Sequence, residues 1–136
     1  MILFLSETKI DASFPDAQFS IDNFTMWRAD RNKFGGGVMV YIRSDLAADR
    51  KIQYEFREIE SIGVEVTSGN EKWFVGVVYK PPSTCMSDEH FYTDFGQTVD
   101  KIISKYIYIY LLVILTMICL TMKRVQWYEI SVIFLT

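Results

Sequence analysis

The stretch ESIGVEVTSGNEKWFVGVVY, residues 60–79, decides the fold of this chain. From Glu60 to Thr67 two sets of side chains alternate with the two-residue period of a β-strand: Ile62, Val64 and Val66 on one face, and Ser61, Gly63 and Glu65 on the other. Ser68-Gly69-Asn70 is a turn signal, and the apolar run from Lys72 to Tyr79 returns as a second strand. That strand stops at Pro81-Pro82, because proline has no N–H to donate to a ladder. The sequence therefore predicts a β-hairpin.

Further strands are predicted on the N-terminal side of this hairpin. Ile2 to Leu5 is a short apolar run typical of a buried strand, and Phe24 to Arg28 is a second candidate. Between them, Asp11 to Asn23 is rich in turn residues and reads as a loop. Gly35-Gly36-Gly37 precedes a third apolar run, Val38 to Ile42. A phosphate-binding P-loop would require a helix after the glycines, so we favour a backbone that passes close to a neighbouring segment.

One helix is predicted after the hairpin. Ser87-Asp88-Glu89 is a suitable start, with Ser87 as N-cap and two acidic residues where the helix dipole favours them. Apolar residues then recur at helical spacing and predict a core-facing side: Phe91, Phe95, Val99, Ile102 and Ile103. Because most of the predicted elements are strands, with helices between them, the expected fold class is α/β with layered sheets.

Composition limits the alternatives. The 136 residues suit one domain, and a 23% charged, 50% hydrophobic content excludes intrinsic disorder. A net charge of −3 provides no overall basic footprint for nucleic acid. Cys85 and Cys119 lack metal-ligand spacing, so we interpret them as free thiols in a reducing compartment. The opening residues 1–9 have too short an apolar core for a signal peptide.

The most abrupt change in composition comes after Lys105. From Tyr106 to Met122 there are 17 residues without a charge, followed by Lys123-Arg124. We therefore divide the chain into residues 1–105 and a hydrophobic tail, 106–136. Such a run reaches the lower limit for a transmembrane helix with flanking charges. Tyrosines at alternate positions, 106, 108 and 110, instead favour the start of a strand, and membrane insertion is the less favoured alternative.

Three segments, in order, resemble one known family. They are Leu5-Ser-Glu-Thr-Lys9, the stretch from Asp30 to Arg43 that reads DRN..GGGV..YIR, and Val77-Val-Tyr-Lys-Pro-Pro-Ser83. Together with Phe14-Pro-Asp16, they are similar to motifs of the endonuclease/exonuclease/phosphatase superfamily, in the branch carried by non-LTR (LINE-type) retrotransposons. The resemblance covers residues 1–105. It implies part of a four-layer α/β fold, in which two packed β-sheets are flanked by helices.

The same resemblance implies an activity and a site. The family nicks target DNA in a magnesium-dependent reaction, so DNA is the implied partner, Mg²⁺ the implied cofactor and the nucleus the implied location. Glu7 matches the metal-binding glutamate, and Tyr79 matches a tyrosine whose hydroxyl lies near the scissile phosphate. Lys9 and Arg43 are candidates for contacts to DNA phosphate. His90 has no counterpart among the family's motifs, and we assign it no role.

Several family segments do not occur in these residues. The resemblance implies an earlier strand with an asparagine, a later GDFN or GDLN segment, and an SDH segment with the catalytic histidine. Because these groups would orient the nucleophile and act as general base, we expect the chain to be catalytically inactive. The tail suggests a cause: the family pattern YIYLLGDLN matches Tyr108 to Leu112, and a one-base shift of compatible codons turns Val113 to Cys119 into Gly-Asp-Leu-Asn-Tyr-Asp-Leu.

We therefore interpret the tail as a frameshifted translation, which the coding DNA around Leu112 tests directly. Two other hypotheses follow from the sequence. One is a small membrane-anchored protein whose β-rich part binds a partner. The other is a chain that has no function and does not fold stably, because exposed strand edges and half a core are unfavourable.

Overall fold

The computed structural model describes residues 1–81, 88–115 and 133–135. The elements in chain order are β1 (Ile2–Ser6), β2 (Phe24–Ala29), β3 (Val38–Arg43), β4 (Ala47–Arg50), β5 (Glu60–Ser68), β6 (Glu71–Lys80), α1 (Asp88–Ile103), β7 (Tyr108–Leu115) and β8 (Ile133–Leu135). Short 3-10 turns span Asp16–Gln18 and Ile52–Tyr54. The fold is mixed α/β, as the sequence predicts.

The strands form two sheets. The first has the order β2-β3-β1-β8, and all of its neighbours are antiparallel. The second has the order β4-β5-β6-β7, in which β7 runs parallel to β6. A parallel pair cannot be joined by a tight turn, and the connection between β6 and β7 accordingly contains α1.

The predicted hairpin is confirmed as β5 and β6. Its register pairs Ser68 with Glu71 and Glu60 with Tyr79, so only Gly69 and Asn70 lie between the strands. Gly69 has φ +60°, which a two-residue hairpin turn requires and which glycine adopts without a steric penalty. As predicted, β6 ends at Lys80, immediately before the prolines.

The main core lies between the two sheets. β1 and β3 contribute buried side chains from one sheet, and β5 and β6 contribute them from the other: Phe4, Val38, Val40, Ile42, Ile62, Val64, Val66, Val75, Val77 and Tyr79. Helix α1 covers the outer face of the second sheet through Phe91 and Ile102. The loop from Asp11 to Asn23 covers the outer face of the first through Phe14 and Phe19.

Two details differ from the sequence prediction, and a third concerns a face of β5 for which the sequence made no prediction. Ile103 is 60% exposed, so its assignment to the core face of α1 is wrong, because the helix turns its neighbour Ile102 inward instead. β4 was not predicted, since its residues Ala-Ala-Asp-Arg have low β-propensity. The polar face of β5 is buried as well as the apolar one, because α1 and its flanking loops cover it: Glu65 is only 8% exposed.

The beginning of the hydrophobic tail is part of the second sheet. Residues Tyr108 to Leu115 form β7, in agreement with the strand that the alternating tyrosines predict. Tyr106 is buried beneath the end of α1, whereas Tyr108 and Tyr110 are 38% and 50% exposed. Within the described residues, no helix is long and apolar enough to cross a bilayer.

Some predictions lie outside the described residues. They concern Ser87 as the N-cap, the two cysteines, and the tail from residue 116 to Lys123-Arg124, including most of the segment interpreted as frameshifted.

Candidate functional site

The first component of the site is Glu7, which follows directly after β1. Glu7 and Lys9 have φ angles of +55° and +54°. Residues other than glycine adopt this left-handed backbone conformation at a cost of about 1–2 kcal/mol. Backbone hydrogen bonds hold the turn: the Thr8 N–H donates to the carbonyl of Gly37 (3.4 Å) and the Lys9 N–H to that of Gly36 (3.0 Å). Strained residues held in this way cluster at functional sites.

The Glu7 carboxylate is held from both sheets. Its Oε2 accepts a hydrogen bond from the Gly36 N–H at 3.1 Å, and its Oε1 accepts one from the Tyr79 hydroxyl. Gly36 lies before β3 in the first sheet, whereas Tyr79 lies near the end of β6 in the second. The two sequence-predicted residues, Glu7 and Tyr79, are therefore in direct contact across 72 positions of the chain.

A second carboxylate, Glu60, lies next to this pair. Glu60 is the cross-strand partner of Tyr79, and its side chain is 6% exposed. Its Oε1 lies 3.3 Å from Nε of Arg31, which also donates to the carbonyl of Gly35 at 3.3 Å. The Arg31 guanidinium carbon is 6.0 Å from the centre of the Tyr79 ring. An arginine and two glutamates thus surround one tyrosine.

The polar atoms of this cluster are incompletely satisfied. Neither carboxylate oxygen of Glu60 accepts a hydrogen bond from a described residue, although both are buried, and the same holds for the Thr8 hydroxyl oxygen. Buried polar atoms are rarely left in this state, because the loss of hydration is then not compensated. The arrangement is characteristic of a site that is completed by a ligand or an ordered water.

The two carboxylates approach the same glycine. Glu7 reaches the N–H of Gly36, and a Cβ atom at Gly36 would lie only 2.9 Å from Oε1 of Glu60. Gly36 also has φ +76°, so both its conformation and its surroundings exclude a side chain. The Gly35-Gly36-Gly37 motif therefore provides the close backbone approach that the sequence predicts.

The donor set fits a hard cation. Magnesium takes carboxylate oxygens and keeps several of its own waters, so one or two carboxylates are sufficient. Each Glu7 oxygen uses one lone pair in its hydrogen bond and retains another. Glu7 and Glu60 are the residues that could hold such an ion. Among the described residues no cluster of three or more His, Cys, Asp or Glu side chains is present to form an all-protein cage.

The other predicted residues are placed as follows. Lys9 lies at the site through its backbone, next to Gly36. Arg43 lies at the far end of β3, five residues from Val38, or about 17 Å away. Its guanidinium forms two hydrogen bonds of 2.7 Å with Asp45, which raise the pKa of Arg43. The structure therefore does not bring Arg43 to Glu7. His90 lies on α1 beside Asp94, with Nε2 and Oδ2 3.5 Å apart.

Sequence reasoning missed Glu60 and Arg31 as members of the site. A signal for Glu60 was present, since a hairpin closed by Gly69-Asn70 pairs residue 60 with residue 79. Arg31 belongs to the Asp-Arg-Asn stretch of the resemblance, but nothing in its local pattern shows that it contacts β5. Comparison of the chain with protein-family models, curated proteins and solved structures finds no match.

Proposed function

We propose that this chain carries the cation-binding part of a magnesium-dependent DNA endonuclease, of the endonuclease/exonuclease/phosphatase type found in non-LTR retrotransposons. The observation that carries the proposal is the contact between Glu7 and Tyr79, because two residues chosen on motif grounds meet from separate sheets. The positive φ of Glu7 and the unsatisfied oxygens of Glu60 support it independently of any motif. The two packed sheets with α1 outside would correspond to part of the four-layer fold.

The residues at the site have distinct roles in this proposal. Glu7 binds the cation, and the Gly36 N–H and the Tyr79 hydroxyl hold its carboxylate in one orientation. When bound, magnesium polarises a phosphate oxygen and neutralises developing charge. Arg31, whose side chain is partly exposed beside the Tyr79 ring, provides a positive charge for a phosphate. Glu60 is the second candidate ligand of the cation. It also pairs with Nε of Arg31 and leaves the other nitrogens of the guanidinium for the substrate.

We further propose that cation binding and cleavage are separate properties in this chain. The resemblance assigns orientation of the nucleophile to GDFN and SDH segments that these 136 residues do not contain. Positioning by Glu7, Tyr79 and Arg31 alone supplies electrostatic stabilisation of the phosphate but no general base. We therefore expect the purified chain to bind magnesium without nicking DNA.

Metal titration tests the first half of the proposal. Binding of Mg²⁺ is measured by calorimetry, and binding of Mn²⁺ by electron paramagnetic resonance, for the parent chain, Glu7→Gln and the control Glu58→Gln. Glu58 is exposed and lines a cleft with His90 and Asp94 of α1, on the outer side of the second sheet, so its variant should behave like the parent. Glu7→Gln should weaken binding by about tenfold or more. Equal binding by Glu7→Gln and the parent would remove Glu7 as the ligand.

A plasmid assay tests the second half. Supercoiled DNA is incubated with the purified chain and magnesium. The rate at which it is nicked should equal that of the protein-free control. Magnesium-dependent nicking that disappears in Glu7→Ala would show that the chain is an active nuclease, contrary to the proposal. The membrane-anchored alternative remains a prediction from the sequence, and a membrane fraction that resists alkaline extraction would favour it.

A further inference from the structure

A small turn projects from the edge of the candidate site. We call residues 31–35 (Arg-Asn-Lys-Phe-Gly) the rim turn. Asn32 and Gly35 form an isolated β-bridge, and the Asn32 side-chain oxygen accepts hydrogen bonds from the N–H groups of Phe34 (2.9 Å) and Gly35 (3.2 Å). Two local hydrogen bonds therefore fix the backbone at Phe34. Because this backbone is already ordered, binding a ligand there costs little conformational entropy.

Phe34 is the most unusual residue of the rim turn. Its side chain is 82% exposed, and it belongs to none of the apolar clusters formed by the described residues. In this position the ring contributes almost nothing to the stability of the fold, because it buries almost no apolar area. The charged group beside it is the ammonium of Lys33, which lies 5.3 Å from the ring centre.

The rim turn carries only positive charge. Arg31 and Lys33 flank Asn32, and the side chain of Arg31 is 35% exposed beside Tyr79. Two cations with an exposed aromatic ring are the combination with which proteins hold nucleic-acid strands: the cations contact phosphates, and the ring stacks on a base. An apolar protein surface would instead place a phenylalanine among other apolar groups, which the rim turn does not have within the described structure.

The position of the turn fits this role. Phe34 is two residues from Gly36, whose N–H holds the Glu7 carboxylate, so their Cα atoms are at most about 7.6 Å apart. A DNA strand rises about 3.4 Å per nucleotide. A phosphate held by Arg31 and by a cation at Glu7 would therefore have a base one or two nucleotides away within reach of the Phe34 ring.

We infer that the rim turn is a DNA-docking element. Phe34 stacks on a base beside the phosphate that Arg31 and a cation at Glu7 hold, and Lys33 contacts the DNA backbone. This inference rests on the proposed function, since it takes the Glu7 site as the place where the phosphodiester lies. It adds a residue that selects a nucleic-acid polymer over a small phosphodiester, because only a polymer presents a base to Phe34 while its phosphate occupies the site.

The test measures DNA affinity in magnesium, in which the chain is expected to bind DNA without nicking it. Fluorescence anisotropy of a labelled 15-nucleotide duplex and of its single strand is recorded in the presence of Mg²⁺ for the parent chain, Phe34→Ala and Phe34→Trp. Loss of one stacked base should weaken binding about 5- to 150-fold in Phe34→Ala, whereas Phe34→Trp should retain affinity within about threefold. Tyr92→Ala is the matched control, because Tyr92 is an aromatic residue 57% exposed on α1, and it should bind like the parent.

Salt dependence separates the ring from the charge. Lys33→Ala should reduce the slope of log affinity against log salt by about one, whereas Phe34→Ala should leave the slope unchanged. A strand with 2-aminopurine near the bound phosphate should be quenched by the parent and much less by Phe34→Ala. Thermal unfolding of each variant verifies that it is folded, as expected for substitutions of exposed side chains.

Several outcomes would overturn the inference. One is equal DNA affinity for Phe34→Ala and the parent, and another is an equal loss in Tyr92→Ala. A third is absence of DNA binding by the folded parent chain. None of them changes the prediction that Glu7 binds magnesium, because that binding is measured without DNA. Conversely, loss of the Glu7 metal site with intact Phe34-dependent binding would leave the rim turn as a DNA-binding element of different purpose.

Discussion

Two glutamates of β5, Glu60 and Glu65, are buried to the same degree and lie in opposite environments. They are 7% and 8% exposed, and each lies beside a tyrosine from a distant segment. Glu65 is fully satisfied: its Oε2 accepts from the Tyr106 hydroxyl at 2.6 Å, and its Oε1 accepts from Lys72 at 3.0 Å. Lys51 and Lys105 are within 3.9 Å and 3.6 Å of its carboxylate. Glu60 accepts no hydrogen bond from a described residue.

The surroundings of Glu65 stabilise its charge. The Tyr106 hydroxyl and the lysines, Lys72 foremost, lower the pKa of Glu65 to about 2. Burial, and then the bond to Glu65, raise the pKa of Tyr106. These shifts are what a structural ion cluster produces, since each partner favours the charge state that the other requires.

The difference shows which buried carboxylate serves the fold and which one is available for function. At Glu65 every donor comes from the chain itself, so the cluster joins β5, β6 and the segment before β7. Among the described residues, the cation beside Glu60 is a partly exposed arginine, and neither carboxylate oxygen accepts a hydrogen bond. We infer that stability depends on Glu65 and that ligand binding depends on Glu60 and its neighbour Glu7.

The largest expected effect on stability comes from a substitution that fills the space beside Glu60. In Gly36→Ala a Cβ atom would lie 2.6 Å from Nε of Arg31 and 2.9 Å from Oε1 of Glu60, at a φ of +76°. We expect a loss of about 3 kcal/mol in the free energy of unfolding, from backbone strain and overpacking together, and loss of magnesium binding. Urea denaturation measures the first. Gly96→Ala is the control, since Gly96 has open space on α1 and should become more stable by about 1 kcal/mol.

The next effect concerns the Glu65 cluster. Tyr106→Phe removes a buried hydroxyl that donates to a carboxylate, and we expect the free energy of unfolding to fall by about 2 kcal/mol. The urea midpoint at pH 7 measures this, with metal binding unchanged because Tyr106 lies far from Glu7. A loss below about 0.5 kcal/mol would mean that the lysines alone suffice and that the comparison overstates the role of the tyrosine.

Acid unfolding sharpens the comparison. The folded pKa of Glu65, about 2, lies below its ordinary value of 4.5, so its contribution to stability is complete above about pH 4.5 and is lost as the pH falls towards 2. Glu65→Gln should be less stable than the parent at pH 7 by about 1–2 kcal/mol, a range that allows for screening by water. This difference should shrink steadily between pH 4.5 and 2. A difference that is constant with pH would exclude the charge of Glu65 as its origin.

The smallest expected effect is at Glu60. Glu60→Gln removes a buried charge that has no hydrogen-bond donor, which offsets the loss of its ion pair with Arg31. We expect the free energy of unfolding to change by less than about 1 kcal/mol, or to increase, while magnesium affinity falls. If Glu60→Gln were as destabilising as Tyr106→Phe, both glutamates would be structural and the distinction between them would be wrong.

Part of this molecule could be predicted from local pattern. The strands β1, β2, β3, β5 and β6 and the helix α1 follow from two-residue and helical periodicity, because each element responds to its own alternation of side chains. β4 was missed because its residues have no β-preference of their own, and it exists only through pairing with β5. Ile103 was placed in the core because spacing identifies a helix face only to within about one residue.

The candidate site divides in the same way. Glu7 and Tyr79 were identified from strand-end motifs, and their contact agrees with that choice. Glu60 could have been found from the hairpin register, whereas Arg31 could not, since its loop reaches β5 only after the two sheets pack. Arg43 stands in a motif but lies at the other end of β3, because a strand of six residues separates its two ends by about 17 Å.

The sequence by itself determined the hairpin, its register and the residues that end each strand, because these depend on neighbours within a few positions. Only the tertiary structure decided which glutamate is satisfied and which is not. That outcome depends on which donors reach each carboxylate. In the part of the chain that the structure describes, Tyr106 and three lysines reach Glu65, whereas one arginine reaches Glu60. No local pattern distinguishes the two residues, which lie five positions apart on the same strand.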